Sequence, residues 1–288
     1  MSQLFVWLLS SGRGRKKHVI SCILIAVSIM ETATVPVRES IPAVSLFGVR
    51  VHAVSMDEAI QHILRFVRES TPRQVVTADS SMVVMAQGDD HLRDIINRAD
   101  LVTPDSIGIL WACRRRGIVV PERVSGVDIV MRLAQISAQT GLRLYFLGAQ
   151  PGVAEEAAQR LQARYPGVCV AGCQHGYFPP EAEPEIVRQI REAQPDVLCV
   201  AMGIPKQEKW IDRYRHVLKV PVSIGVGGTF DVLSGRVRRA PLWMQRMGME
   251  WLWRVGHNPR KISKVMLLPR FVWMVLTNQN AIEVVRNG

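Results

Sequence analysis

A chain of 288 residues with 48% hydrophobic and 21% charged side chains has enough apolar material for one large α/β domain with an appendage, or for two small domains, and it excludes wholesale disorder. The net charge of +11 is unevenly placed: from Arg236 to Gly288 ten lysines and arginines face two acids, among Trp243, Trp251, Trp253 and Trp273, four of the seven tryptophans. Positive charge interleaved with Leu, Met and Trp suits an anionic lipid surface and argues against a nucleic-acid patch, which needs no such apolar filling.

In chain order, the basic cluster Arg13 to Lys17 precedes an apolar run, Val19 to Met30, whose twelve residues are too few to span a bilayer. Two readings stay open. The run resembles a signal peptide without a small-residue cleavage site, or Met30 is the true start and the preceding residues are a gene-model extension. The second is preferred, because recognisable domain pattern begins only near Val44, which leaves residues 1–43 as an N-terminal extension.

A strand is predicted over Val44 to Val51. Ser55 and Glu58 have capping-box spacing and open a helix whose apolar face is Met56, Ala59, Ile60, Ile63, Leu64 and Val67. The strand Gln74 to Ala78 ends in Asp79-Ser80-Ser81. Helices come next over Ser81 to Gln87 and Asp90 to Ala99, then the strand Leu101 to Thr103, a break at Pro104-Asp105-Ser106, and a helix from Ile107 to Cys113. From Gly126 the rhythm is regular. Strands at Leu142 to Leu147, Val168 to Gly172, Val197 to Met202 and Val222 to Val226 alternate with helices at Val127 to Gln139, from Val153 to just before Tyr165, Pro184 to Ala193 and Pro205 to Val217. This predicts a Rossmann-like α/β domain over residues 44–235, a parallel sheet with helices on both faces. Residues 236–288 are expected to form a basic, helical, membrane-associating appendage of short surface helices, since Pro269 argues against one uninterrupted helix. Cys22, Cys113, Cys169, Cys173 and Cys199 are scattered, with no CxxC pair, and read as inert packed thiols of a reducing compartment.

In such a fold ligands sit at the carboxyl ends of the strands, where the polar and glycine-rich segments fall. Gly148 to Gly152 follows a strand and opens a helix, a placement that suits a phosphate. Gly225 to Phe230 is a second glycine-rich strand end. Neither is a full G-x-G-x-x-G, so a nicotinamide-dependent oxidoreductase is only a rival reading. A non-catalytic membrane adaptor is the other, and an adaptor has no need of polar strand ends. Taken alone, Asp105 reads as a helix N-cap, and Lys206 and Gln207 as a solvated first turn. No Asp-x-Asp pair occurs, so no metal site is expected. A departing diphosphate would be neutralised by arginine, lysine or helix dipoles.

Five ordered segments carry a resemblance. They are Val76-Thr77-Ala78-Asp79; Ala99-Asp100-Leu101-Val102-Thr103-Pro104-Asp105-Ser106-Ile107-Gly108; Glu122-Arg123-Val124-Ser125-Gly126-Val127-Asp128; Ala201 to Trp210; and Gly225 to Asp231. Together they resemble the successive signatures of the WecG/TagA/CpsF glycosyltransferases (glycosyltransferase family 26), over roughly Val44 to Arg270. The resemblance implies a metal-independent, inverting hexosyl transfer from a UDP-sugar to a polyprenyl-diphosphate-linked sugar, without a cofactor, in surface polysaccharide synthesis. It implies a peripheral protein at the cytoplasmic face of a bacterial inner membrane, with an anionic membrane surface as partner, no nucleic acid, and homo-oligomerisation left open. It makes Asp105 the base and Arg123 its catalytic companion. It adds Thr77 and Gln207 as substrate contacts, and the strand-end reading adds Asp79, Gly148, Gly203, Lys206, Gly227, Gly228, Phe230 and Asp231, with the tail arginines Arg236, Arg238 and Arg239 facing the diphosphates. Asp79 and Ser106 depart from the Asn and Gly of many members. The extra carboxylate leaves open a share in the base role for Asp79 and tilts the donor towards a glucosyl rather than an N-acetylmannosaminyl group.

Overall fold

The computed structural model describes residues 41–241, 244, 253 and 266–285. The basic cluster and apolar run of residues 13–30, Cys22, Trp243, Trp251 and the other tail positions expected at a lipid surface between 242 and 265, save Met244 and Trp253, lie outside the described residues.

The predicted single strand over 44–51 is instead a hairpin, β1 (Ala43–Leu46) and β2 (Val49–His52), with Leu46 opposite Val49. Phe47 and Gly48 make the turn with φ of 53° and 80°, the paired positive angles that suit a two-residue hairpin. An apolar run on both sides of a single glycine conceals the reversal. The outer edge of β1 pairs antiparallel with β9 (Ile282–Val285), so the C-terminal end of the chain completes a small sheet begun at residue 43.

The main sheet matches the alternating pattern. β3 (Arg73–Ala78), β4 (Leu101–Pro104), β5 (Arg143–Gly148), β6 (Cys169–Gln174), β7 (Val197–Ala201) and β8 (Val222–Gly225) lie in the order β4-β3-β8-β7-β5-β6, with every pairing parallel. Period-two alternation sends successive residues to opposite faces. Val75, Leu101, Phe146, Cys199 and Ile224 meet α1 (Met56–Glu69), α5 (Gly126–Thr140) and α6 (Val153–Arg164) in one core. On the other face Val76 and Val102 pack with α2 (Ser80–Met85), α3 (Asp90–Arg98) and α4 (Ile107–Arg115). Further along that face Leu147 and Val200 pack with α7 (Glu183–Ala193) and α8 (Lys206–Leu218). The Ser55–Glu58 capping box forms, with Ser55 accepting from the Glu58 amide and Glu58 from the Ser55 amide.

β4 is an edge strand, and its outward Val102 amide donates to Nδ1 of His52 at 2.8 Å, which ties the small sheet to the large one. Burial, aided by the charge of Arg50, pushes the His52 imidazole down to about 4. Burial likewise raises the thiols, Cys113 to about 11 and Cys173 and Cys199 to about 12, in keeping with inert packed cysteines.

α10 (Leu267–Thr277) begins two residues before Pro269, so the proline falls in the first turn, where it removes no intrahelical bond and breaks nothing. Phe271 and Val275 are buried in the α2–α4 core. This end of the chain therefore contributes to the packed interior as well as to the surface. Among the described residues no helix is long and apolar enough to cross a membrane.

Candidate functional site

The carboxyl ends of β3, β4, β7 and β8 converge on a cleft roofed by the start of α5. Asp105 follows β4, and its amide donates to the Ala78 carbonyl at 2.7 Å, locking it beside the end of β3. It is not the N-cap that it resembles in isolation. Ser106 caps α4 by accepting from the Ile109 amide, leaving the Asp105 carboxylate to turn away and accept from the Gly126 amide, at 3.3 Å, in the first turn of α5. A carboxylate at a helix N-terminus is held by the positive end of the helix dipole. Ser106 also meets the Ser80 hydroxyl at 2.9 Å, and a side chain at Gly108 would collide with that hydroxyl. The glycine three residues after Asp105 is thus needed to let α2 and α4 pack together.

The segment 122–125 runs along β4 to reach α5. The Val124 amide donates to the Pro104 carbonyl, Thr103 Oγ1 donates to the Val124 carbonyl, and Glu122 accepts from the Met56 amide at the start of α1. This places Arg123, half-buried, with Nη2 3.8 Å from Asp128 Oδ2. Asp128 lies in the first turn of α5. It takes a hydrogen bond from Ser125 Oγ and a bidentate pair from Arg239, both arms at 2.7 Å. Burial raises its pKa, but the hydrogen bonds from Arg239 and Ser125 and the charges of Arg239 and Arg123 outweigh this, and the net shift is downward. Two arginines, one from the body and one from the tail, therefore converge on one carboxylate beside Asp105. Sequence reasoning misses Asp128 as a site residue, although its Ser125-x-x-Asp128 spacing is that of a helix start.

The glycine loops are organised from beneath. Gln207 is 1% exposed, and its Oε1 accepts from the Gly203 amide at 3.1 Å and the Gly227 amide at 3.0 Å, while its Nε2 donates to Glu208 Oε1 at 2.7 Å. Its carboxamide is spent on clamping the β7–α8 loop to the turn after β8, instead of facing solvent as a first-turn residue would. A Cβ at Gly225 would sit 2.7 Å from Gln207 Nε2 and displace the clamp. Thr77 Oγ1 donates to the Gly225 carbonyl at 2.8 Å, joining the ends of β3 and β8. Gly148, at φ 131°, lies so close to the Ala201 carbonyl that a Cβ would approach within 2.5 Å. Gly227, at φ 57°, has open space where a Cβ would be, and with Gly228 it leads into α9 (Thr229–Leu233).

Other expected contacts fall elsewhere. Asp79 caps α2, accepting from the Met82 amide at 2.8 Å, so the carboxylate that sets it apart in the sequence has a structural task. Phe230 is wholly buried, 4.9 Å between ring centroids from Phe146, and belongs to the core under the glycine turn, not to a ligand surface. Lys206 lies over the Phe178 ring and donates to the Gly176 carbonyl at 3.3 Å, on the β6 side of the cleft. Asp231 accepts the Val237 amide on its carbonyl at the end of the turn. Arg236 makes two bonds to Glu156 on α6, at 2.6 and 2.8 Å, next to Gly152, and Arg238 is exposed. Of the three tail arginines, Arg239 is the one held at the start of α5. Among the described residues no group of three or more His, Cys, Asp or Glu side chains is arranged to hold a metal ion.

Comparison with known proteins gives a consistent result. The model described as the glycosyl transferase WecG/TagA/CpsF family matches residues 44–283. The chain is 32% identical over 205 residues, 71% of its length and 79% of the other's, to the N-acetylglucosaminyldiphosphoundecaprenol N-acetyl-beta-D-mannosaminyltransferase of Bacillus subtilis (strain 168). It is 28% identical over 252 residues, 87% of its length and 98% of the other's, to the protein of the same description from Staphylococcus aureus (strain MW2). These matches favour neither the oxidoreductase nor the adaptor.

Proposed function

The chain belongs to the WecG/TagA/CpsF glycosyltransferase family, and from that membership we propose a single-displacement, inverting transfer from a UDP-sugar to a sugar carried on polyprenyl diphosphate. The observation that carries the reading is the Asp105 carboxylate at the end of β4, aimed at the α5 amides, with Arg123 and Arg239 gathered on Asp128 in the same helical turn. Such a transfer requires a base on the acceptor hydroxyl and stabilisation of the charge on the departing diphosphate. Asp105 takes the proton of the acceptor hydroxyl as its oxygen forms a bond to the anomeric carbon of the donor. The bond from that carbon to the diphosphate breaks on the opposite face, and UDP leaves with the electron pair. Arg123 and Arg239 meet the negative charge that develops on the diphosphate, exchanging a carboxylate partner for phosphate oxygens. Gly228 and the loop after Gly148 supply backbone amides for the nucleotide, while Gln207, which holds the Gly203 and Gly227 amides, and Thr77, which holds the Gly225 carbonyl, keep the turn after β8 in register.

The sugar we propose first is N-acetylmannosamine, carried on UDP, with N-acetylglucosaminyl-diphosphoundecaprenol as acceptor, because the relatives' names state the transfer of that sugar to that acceptor. The lean towards a glucosyl donor rests on Asp79, and capping α2 accounts for that residue without reference to a sugar. The protein would act peripherally at the cytoplasmic face of the membrane, held there by the basic tail.

A donor screen tests the reading. Several UDP-sugars are incubated with the full chain and a short-chain lipid-diphosphate N-acetylglucosamine, and products are read by mass. A disaccharide product from UDP-N-acetylmannosamine, insensitive to EDTA, is expected. Thermal stabilisation by NAD but not by UDP, with no product from any donor, overturns the proposal.

A further inference from the structure

We infer that the segment 114–120, at the opposite end of α4 from Asp105, is a second membrane contact that docks on anionic lipid headgroups together with the outer face of α10. This deepens the lipid-linked acceptor reading above and rests on it. The tail's positive charge already suggests a lipid surface, but this segment stands far ahead of the tail in the sequence, in the first half of the chain.

α4 ends on Arg114 and Arg115, and Arg116 is its C-cap; all three are exposed. No aspartate or glutamate occurs from Ser106 to Pro121, so the positive charge is not offset along the segment. Basic residues in a last helical turn are ordinary, because they complement the helix dipole. That accounts for Arg114 and Arg115 but not for Val119. Val119 is 83% exposed, the most of any large hydrophobic residue described, and stands three positions after the three arginines. Ile118 and Val120 pack against the α2–α4 core and hold Val119 outward. A rigidly presented aliphatic tip beside a cluster of arginines fits the boundary between headgroups and acyl chains.

α10 lies alongside. A Cβ on Gly108 in α4 would stand 3.5 Å from the Phe271 ring of α10, and Arg116 Nε donates to the Ile282 carbonyl just beyond α10 at 3.4 Å. α4 thus touches α10 and its continuation near both of its own ends. While Phe271 and Val275 face inward, Met266, Trp273 and Leu276 are 68%, 65% and 51% exposed, and Arg270 is exposed on the same stripe at helical spacing. Two segments distant in sequence therefore present one combination of arginines, aliphatic side chains and a tryptophan. Its positive charge makes an anionic bilayer the occupant, in preference to a second copy of this equally basic chain. The placement has a purpose: α4 spans about 13 Å at 1.5 Å per residue, so the helix that follows the base at one end would touch the membrane holding the acceptor at the other.

The test uses the full chain, its Val119→Asp variant and its Arg114→Glu/Arg115→Glu variant, with thermal melts to verify folding. Each is sedimented with phosphatidylcholine vesicles with and without phosphatidylglycerol. Each is then assayed on a short-chain soluble acceptor and on the undecaprenyl acceptor embedded in those vesicles. Both variants are expected to lose at least about threefold in binding to the anionic vesicles and roughly tenfold in kcat/KM on the embedded acceptor, with short-chain transfer unchanged. Unchanged vesicle binding by both variants overturns the inference. So does a wild-type oligomer that Val119→Asp converts to monomer, which would make the face a self-association surface. Absence of transfer by the wild type to any acceptor would instead refute the glycosyltransferase reading, which separates the two failures.

Discussion

The two sides of the cleft are built on opposite principles. On the glycine-loop side, Gln207 is buried and each polar atom of its carboxamide is engaged by the protein, so that the loops after β7 and β8 are fixed before any ligand arrives. On the α5 side, Asp105, Asp128, Arg123 and Arg239 are half-buried charges, and Asp128 gathers both arginines. A buried amide clamp costs a great deal to rearrange, whereas a half-exposed ion pair can exchange a carboxylate for a phosphate at little cost. In the transfer proposed above, one side would supply shape and the other chemistry, so substitutions on the two sides should fail in different ways.

The sharpest test of that division is Asp105→Asn. It should fold, keep its affinity for UDP and lose at least about two orders of magnitude in kcat, the usual scale for a missing general base. Activity within threefold of wild type would move the base elsewhere. Gln207→Ala should do the reverse. Leaving the Gly203 and Gly227 amides without their acceptor costs about 2–4 kcal/mol, read as a melting temperature several degrees lower. An unchanged melting temperature would refute the clamp.

A third test concerns the support under the base strand. His52 is neutral in the fold, accepts from β4, and has its pKa depressed from 6.5 to about 4. The unfolded chain therefore binds the proton first. The stabilisation is complete above pH 6.5 and is lost as pH falls towards 4, up to about 3 kcal/mol in all. His52→Asn, whose side-chain oxygen can accept the Val102 amide without titrating, should flatten the stability profile in that window by denaturant titration. A profile identical to wild type would remove His52 from the account. The smallest effect is expected from Asp128→Asn. By losing the fixed position of Arg239, it should lower kcat by about tenfold with a modest change in melting temperature. Combined with Arg239→Ala it should cost little more than Arg239→Ala alone, and strict additivity would show that the two residues act independently.

Legibility in the sequence tracks the range of the interaction. The six parallel strands and their helices are predicted within two residues of their bounds, because period-two and period-3.6 patterns are local and the core reinforces them. The capping box at Ser55 is legible for the same reason. The hairpin at Phe47-Gly48 is not, since a two-residue turn inside an apolar run leaves the hydrophobic pattern intact. The site divides likewise. The motif positions of Asp105, Arg123 and Gln207 are visible, but their partners are not.

By itself, then, the sequence determined the α/β class, the placement of polar segments at the strand ends and the concentration of positive charge near the C-terminus, all consequences of composition and short-range periodicity. Only the tertiary structure decided that Ser106 and not Asp105 caps α4, that Asp79 serves α2, that Phe230 is core, and that Arg239 reaches Asp128 across 111 positions of sequence. It also decided that β9 closes a sheet begun by β1 and that α10 lies against α2. Each of those outcomes depends on which groups the folded chain brings within hydrogen-bonding or packing distance. A carboxylate competing for two helix amides, or an arginine choosing between a nearby acid and a distant one, is settled by geometry that exists only once the sheet has assembled.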